Sequence, residues 1–204
     1  MHSDFPVTAL ALLAETLESC DARWVVGGST GLVLRGAKLD RAPRDIDIYV
    51  DHDSVFPVHE RLSSNWLDGP EDNRTERYHS ILSHYRLAGA MVELVGDFRV
   101  SAMQSNYLAE VNDFLYPNGD KVEVNGFGIA IVPLAHELLF NLLRERKDRA
   151  AVAGDLMAQN PEKHMPLLQD LIRRNKFSPE IKSEAMEMTT PGIQSIRDFG
   201  KEPL

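Results

Sequence analysis

The sequence predicts an α+β fold: a mixed β-sheet flanked by helices, followed by a helical C-terminal region. Three observations carry this. Short runs of β-branched and apolar residues, several with strict alternation, are confined to about residues 24–132. A helix-period pattern at residues 5–19 precedes them. After residue 133 the strand-like runs cease and only helix-period patterns follow, so the two kinds of element are segregated along the chain. The expected organisation is a core over 1–132, a helical region over 133–190 and a loosely held tail over 191–204.

Residues 5–19 read as an amphipathic helix opened by Ser3, Asp4 and Pro6, with Leu10, Leu12, Leu13 and Leu17 as its apolar face. Cys20 follows; a single cysteine excludes an intrachain disulfide and argues against a cysteine-type zinc site. Trp24, Val25 and Val26 then form a short strand that stops at Gly27 and Gly28, and residues 29–35 resume as a helix. Adjacent glycines at a strand-to-helix turn let backbone N–H groups face outward, where the helix dipole favours a phosphate. Ser29 is expected to cap that helix and to donate its hydroxyl to a phosphate oxygen.

In the next strand, Asp45 and Asp47 are two residues apart, so the pleat points both carboxylates to one face while Ile46 and Ile48 take the other. Two carboxylates on one face repel unless a cation sits between them. Mg²⁺ suits the position, because it takes one or two protein carboxylates and completes its shell with water and phosphate.

Residues 53–64 read as a helix and 65–75 as a polar loop. Residues 77–87 form a strand that places His79 and His84 on opposite faces, poor geometry for a shared metal, so both read as ordinary polar strand residues. A turn at Ala88 and Gly89 leads into a strand over 90–95 that stops at Gly96 and Asp97. Within it Glu93 is an acid in an apolar run, a costly placement unless it faces solvent or a cation. Residues 111–116 and 121–124 read as a hairpin about a turn at 117–120, and Asn125 and Gly126 lead into a strand at 129–132. The helix at 133–143 has Pro133 near its first turn and ends in the cluster Arg144, Glu145, Arg146, Lys147, Asp148, Arg149; three more helices are expected at 152–159, 165–176 and 179–188.

Residues 24–51 resemble the signature of the DNA polymerase beta superfamily of nucleotidyltransferases: Gly27, Gly28 and Ser29, then Arg41, Ala42, Pro43, Arg44, Asp45, Ile46 and Asp47. They are most similar to the small bacterial branch of antibiotic nucleotidyltransferases and the toxins of abortive-infection and toxin–antitoxin systems. The segment between Ser29 and Asp45 is slightly long for that branch, with Lys38, Leu39 and Asp40 as the extra residues.

The resemblance implies a third carboxylate on a neighbouring strand, taken as Glu93 in preference to Asp97, which sits beside Gly96 in a turn. It implies that Asp45, Asp47 and Glu93 hold two Mg²⁺ ions and that a nucleoside triphosphate is the substrate. Gly27, Gly28 and Ser29 would grip its outer phosphates. Arg41 and Arg44 are either phosphate-neutralising groups or structural ion-pair partners. The basic cluster resembles an Arg-x-Lys-Asp-like helix end of the same branch, and Arg146 and Lys147 are expected near the triphosphate, with a solvated helix end as the rival reading. Relatives place a lysine about two turns before that Asp; here Phe140 and Asn141 stand there. The helical C-terminal region would shape the acceptor pocket.

Net charge of −9 works against a broad polyanion-binding surface, so a small-molecule or protein acceptor is favoured over nucleic acid, with a tRNA end still accommodated by a local basic patch. No transmembrane run or signal peptide is visible, and a cytoplasmic home is the default expectation. Two functions are carried: metal-dependent transfer of a nucleoside monophosphate to a hydroxyl, and a non-catalytic nucleotide or partner binder on the same fold. The presence of all three acids favours the first.

Overall fold

The computed structural model describes residues 6–190. The tail at 191–204 and the helix cap expected at Ser3 and Asp4 lie outside the described residues. The chain divides into two compact units, one running to Ser101 and including Asn106–Pro133, the other made of Ala102–Ser105 and the chain from Leu134.

Up to Pro133 the chain carries, in order, α1 (Val7–Leu17), β1 (Val25–Gly27), α2 (Gly28–Leu34), β2 (Asp45–Val50), α3 (Val55–Leu62), β3 (Trp66–Arg74), β4 (Tyr78–Leu87) and β5 (Ala90–Ala102). It continues with β6 (Ser105–Leu108), a π-helical turn (Val111–Leu115), the short α4 (Tyr116–Asn118), β7 (Asp120–Val124) and β8 (Phe127–Ile131). The strands form one eight-stranded mixed sheet in the order β3-β4-β5-β2-β1-β8-β7, with β6 paired to β5. β2 runs parallel to β5 and β1 parallel to β8, while the other pairs on that path are antiparallel.

The core lies on one face of this sheet. Ile46 and Ile48 of β2, Val92 and Leu94 of β5 and Tyr85 and Leu87 of β4 are fully buried with Leu10 and Leu13 of α1 and Val55, Val58 and Leu62 of α3. The alternation that buries these residues turns the intervening positions of β2, β4 and β5 to the opposite face. On α1, Ala9, Leu10, Leu13 and Leu17 are buried at helical spacing, whereas Leu12 falls off that stripe and is 36% exposed, contrary to its assignment to the apolar face.

Three expectations about the core need correction. Residues 66–74 are not a loop but the edge strand β3, which bonds to β4 through register shifts either side of Asp68. Its Gly69 and Pro70 are tolerated because an edge strand leaves one side of its backbone unpaired. β5 does not stop at Gly96 and Asp97 but continues to Ala102. A side chain at Gly96 would overlap Val55, so glycine here lets α3 press onto an uninterrupted strand.

The predicted strand at 111–116 is instead helical. Its buried residues Val111, Phe114 and Leu115 follow i, i+3, i+4 spacing, and Asp51 accepts hydrogen bonds from the N–H groups of Val111 and Asn112 at 2.8 Å each.

The second unit carries α5 (Leu134–Leu143), α6 (Lys147–Ala158), α7 (Pro161–Arg174) and α8 (Pro179–Met188). Every residue of α5 is buried, His136, Glu137 and Asn141 included. Ser178 caps α8 through Ile181 N–H, and Asn160 caps α7 through Lys163 N–H. The basic cluster does not close a helix. The chain turns at Glu145 (φ +59°), and Lys147, Asp148 and Arg149 open α6. Among the described residues no helix is long and apolar enough to cross a membrane.

Candidate active site

Three of the predicted residues meet at one level of the sheet. Gly27, the last residue of β1, is the Cα partner of Asp47 on β2, and Asp47 is the partner of Glu93 on β5. Asp45 lies two residues earlier on β2, opposite Met91, on the same half-buried face. The glycine turn and three carboxylates therefore share one face of three neighbouring strands, opposite the apolar core.

The turn is held against the acids by specific contacts. Gly28 adopts a left-handed backbone (φ +63°), and a Cβ there would overlap Asp47 Oδ2, so the carboxylate occupies the space that a side chain would fill. One residue beyond Ser29, the buried Thr30 donates its hydroxyl to the backbone oxygen of Asp45 at 2.7 Å, joining α2 to the strand of acids. At the far end of α2, Arg35 (side chain 8% exposed) pairs with Asp120 of β7 at 3.1 Å and donates to the carbonyl oxygens of Val132 and Gly31. These bonds fix both ends of a helix of only seven residues, too short to stand on its own propensity.

Ser29 does not cap α2: the cap position is Gly27, with no side-chain hydrogen bond, and Ser29 lies within the first turn. Gly27 takes the role because its extended φ −126°, ψ −161° ends β1 and starts the helix in a single residue. Arg41 and Arg44 are exposed in the segment before β2, and no ion pair of either is seen among the described residues.

Arg146 and Lys147 lie in the second unit. Arg146 bonds Asp148 at 3.3 Å, and Lys147 Nζ is 2.8 Å from Glu184 Oε1. Asp148 is held below the usual carboxylate range by its bond from Arg146, with burial opposing. At the positions where a lysine was expected, Phe140 stacks on His136 and lies beneath the Arg144 guanidinium, 4.9 Å from its ring centroid, while Asn141 Nδ2 donates to the backbone and side-chain oxygens of Glu137. Both are packing residues of a buried helix.

Asp97, the rival third acid, is engaged by the Arg99 guanidinium at 3.0 and 3.1 Å. Sequence reasoning passed over another neighbour of Glu93. His84, dismissed as an ordinary strand residue, is the cross-strand partner of Glu93, with Nε2 3.7 Å from Glu93 Oε1. Its other ring nitrogen is 2.6 Å from Asp68 Oδ1.

Among the described residues no three side chains of His, Cys, Asp or Glu converge into a preformed metal cage. An Mg²⁺ site needs less, since hard oxygen donors from one or two carboxylates suffice when water and substrate phosphate supply the rest. Asp47 and Glu93 side by side, with Asp45 one pleat away, fit that donor chemistry, and the Gly28 cradle leaves backbone rather than a side chain beside them.

The chain matches the sequence profile of the aminoglycoside-2″-adenylyltransferase family over residues 9–117, more than half of its length, a span that includes Gly27, Gly28, Asp45, Asp47 and Glu93. The chain belongs to this family. It is a nucleotidyltransferase of the DNA polymerase beta type, in the antibiotic-resistance branch. No curated protein sequence matches it significantly.

Among solved structures, a candidate nucleotidyltransferase from Thermotoga maritima is similar with a TM-score of 0.58 and 23% identity over 74% of this chain and 91% of that one, a likeness of fold. ANT(2″)-Ia in complex with adenylyl-2″-tobramycin is 11% identical over 82% of this chain and 97% of that one, with a TM-score of 0.47. The lincosamide antibiotic adenylyltransferase LnuA, bound to lincomycin, is 18% identical over 65% of this chain and 83% of that one, with a TM-score of 0.43.

Proposed function

We propose that this family member transfers a nucleoside monophosphate from a nucleoside triphosphate to a hydroxyl of a small cationic molecule of the aminoglycoside class, releasing pyrophosphate. The observation that carries the reading is the lateral alignment of Gly27, Asp47 and Glu93 on three neighbouring strands, which sets a phosphate turn beside two acids at one level.

Asp45, Asp47 and Glu93 would hold the divalent ions. Bound Mg²⁺ supplies neutralisation of the triphosphate and acidification of the acceptor hydroxyl. The backbone of Gly27 and Gly28 and the Ser29 hydroxyl bind the outer phosphates, while the exposed guanidinium groups of Arg41 and Arg44 offset their charge. Arg146 and Lys147, already paired with Asp148 and Glu184, are given no part. The acceptor oxygen bonds to the α-phosphorus, the bond to pyrophosphate breaks, and Glu93 receives the hydroxyl proton. The chain mainly positions and neutralises.

The family's description motivates an aminoglycoside acceptor. A net charge of −9 supports it, because a polycationic sugar is drawn to an acidic protein and a polyanion is not.

The test is calorimetric titration of the protein with each nucleoside triphosphate and Mg²⁺, set against Asp47→Ala. Metal-dependent binding that the variant loses is expected, and a wild type that binds no nucleotide in a metal-dependent manner overturns the reading. Incubation of the protein and labelled triphosphate with aminoglycosides, total tRNA and lysate then identifies the acceptor. Label appearing only on tRNA or protein overturns the small-molecule assignment.

A further inference from the structure

The row of aligned residues does not end at Glu93. His84 on β4 is the partner of Glu93, and Asp68 on β3 is the partner of His84, so one level of the sheet reads Asp68, His84, Glu93, Asp47, Gly27 across five strands. The phosphate turn stands at one end and a carboxylate–imidazole pair at the other. We propose that the Asp68–His84 pair is the acceptor side of the site, with His84 Nε2 accepting a hydrogen bond from a hydroxyl or ammonium of the acceptor next to the hydroxyl whose proton Glu93 receives. This rests on the nucleotidyl-transfer reading above.

The argument begins at Asp68. Its Oδ1 lies 2.6 Å from His84 Nδ1, and because an ionised carboxylate only accepts, Nδ1 is the donor. A neutral imidazole that donates from Nδ1 presents a bare lone pair at Nε2. Nε2 lies 3.7 Å from Glu93 Oε1, beyond hydrogen-bond length. Two acceptor atoms at this separation suit an acceptor molecule that presents two donors, the reacting hydroxyl to Glu93 and a neighbouring hydroxyl or ammonium to Nε2, each at roughly 2.7–3.0 Å.

Direction along the row adds a second argument. In-line displacement requires the attacking oxygen and the departing pyrophosphate on opposite sides of the reacting phosphorus. With the phosphate turn at the Gly27 end, the opposite side is the His84 end. The side chains of His84, Glu93 and Asp68 are 26, 31 and 62% exposed, open to a ligand from solvent. The same hairpin supplies an internal control. His79 also bonds an aspartate of β3, Asp72, at 2.6 Å, but through Nε2, and its partner on β5 is Arg99, so it faces no member of the row.

The test uses the full chain. Long-range ¹H–¹⁵N spectra of the imidazole rings are expected to show His84 protonated on Nδ1 and bare on Nε2, a preference that Asp68→Asn weakens. A neutral His84 ring carrying its proton on Nε2 overturns the proposal whatever the acceptor. With ATP, Mg²⁺ and tobramycin as the probe, His84→Asn and Asp68→Asn are expected to raise the KM for tobramycin by about tenfold or more. Both should keep their affinity for a non-hydrolysable ATP analogue with Mg²⁺.

His84→Gln, whose amide oxygen reaches the position of Nε2, restores part of the loss, and His79→Asn changes nothing. An unaltered tobramycin KM in His84→Asn overturns the proposal while nucleotide binding stands. Loss of metal-dependent nucleotide binding in the wild type overturns the underlying reading instead. If tobramycin is not turned over, the ring tautomer decides alone.

Discussion

Gly28 and Asp47 share one pocket of space: a Cβ on Gly28 would overlap Asp47 Oδ2 and come within 3.3 Å of its Cγ, on a backbone that is left-handed at φ +63°. The glycine thus does two things at once, turning the chain from β1 into α2 and leaving room for the acid. Gly28→Ala is expected to cost about 1–2 kcal/mol from the left-handed backbone alone. Displacing the Asp47 carboxylate by a fraction of an ångström to 1 Å should also lower kcat by about 100-fold. Thermal unfolding reads the first effect and steady-state transfer the second; a variant with wild-type kcat would show that this close packing is irrelevant to the site.

Thr30 and Asp45 give a separable positioning contact. The buried hydroxyl bonds the backbone oxygen of Asp45 at 2.7 Å, so Thr30→Val keeps the shape and removes only the donor. A loss of about 1 kcal/mol in stability is expected, together with a fall in kcat, and Thr30→Ser should restore both. Equal activity in the valine and serine variants would place the acids independently of α2.

The two arginines before β2 distinguish binding from structure in one measurement. Arg41 and Arg44 are exposed and not ion-paired among the described residues, so their removal breaks no ion pair among those residues. Arg41→Ala and Arg44→Ala should leave the melting temperature within the range of ordinary surface changes, about 0.5 kcal/mol either way. Each should weaken nucleotide affinity, with an effect that shrinks as salt rises. A drop in stability with unchanged affinity would reverse the assignment.

What was legible in the sequence was whatever depends on short-range pattern. The glycine turn, the Asp45–Asp47 pleat and the hairpin turn at Ala88 and Gly89 all express local periodicity or backbone freedom, and they hold. The role of His84 was legible in principle. A two-residue turn pairs residues equally far before and after it, which sets His84 opposite Glu93, and the histidine was passed over because only a shared metal with His79 was considered. Asp68 was not legible, because the register of β3 shifts on either side of it.

Nor did local pattern disclose that Asp47 lies beside Glu93, since parallel pairing across a long connection has no local signal. The turn at Val111–Leu115 was misread as a strand because the group that starts it, Asp51, lies 60 residues earlier.

Tyr85 is expected to contribute to the alkaline limit of the fold. Burial raises its phenol above the ordinary value of 10.0, with the hydrogen bond to Ser83 working the other way, and the hydroxyl also lies 2.8 Å from His59 Nδ1. The native state therefore holds this proton more tightly than the unfolded chain does. By linkage the stability associated with the protonated phenol is fully present below the unfolded value and is lost as pH rises through the folded one. Melting temperature is thus expected to fall above about pH 10, and Tyr85→Phe should flatten that decline. At neutral pH the variant should lose about 1 kcal/mol, because the buried Ser83 and the His59 ring lose their common partner. Thermal melts of both proteins from pH 7 to 11 check this, and parallel curves above pH 10 would move the alkaline transition to a group other than Tyr85.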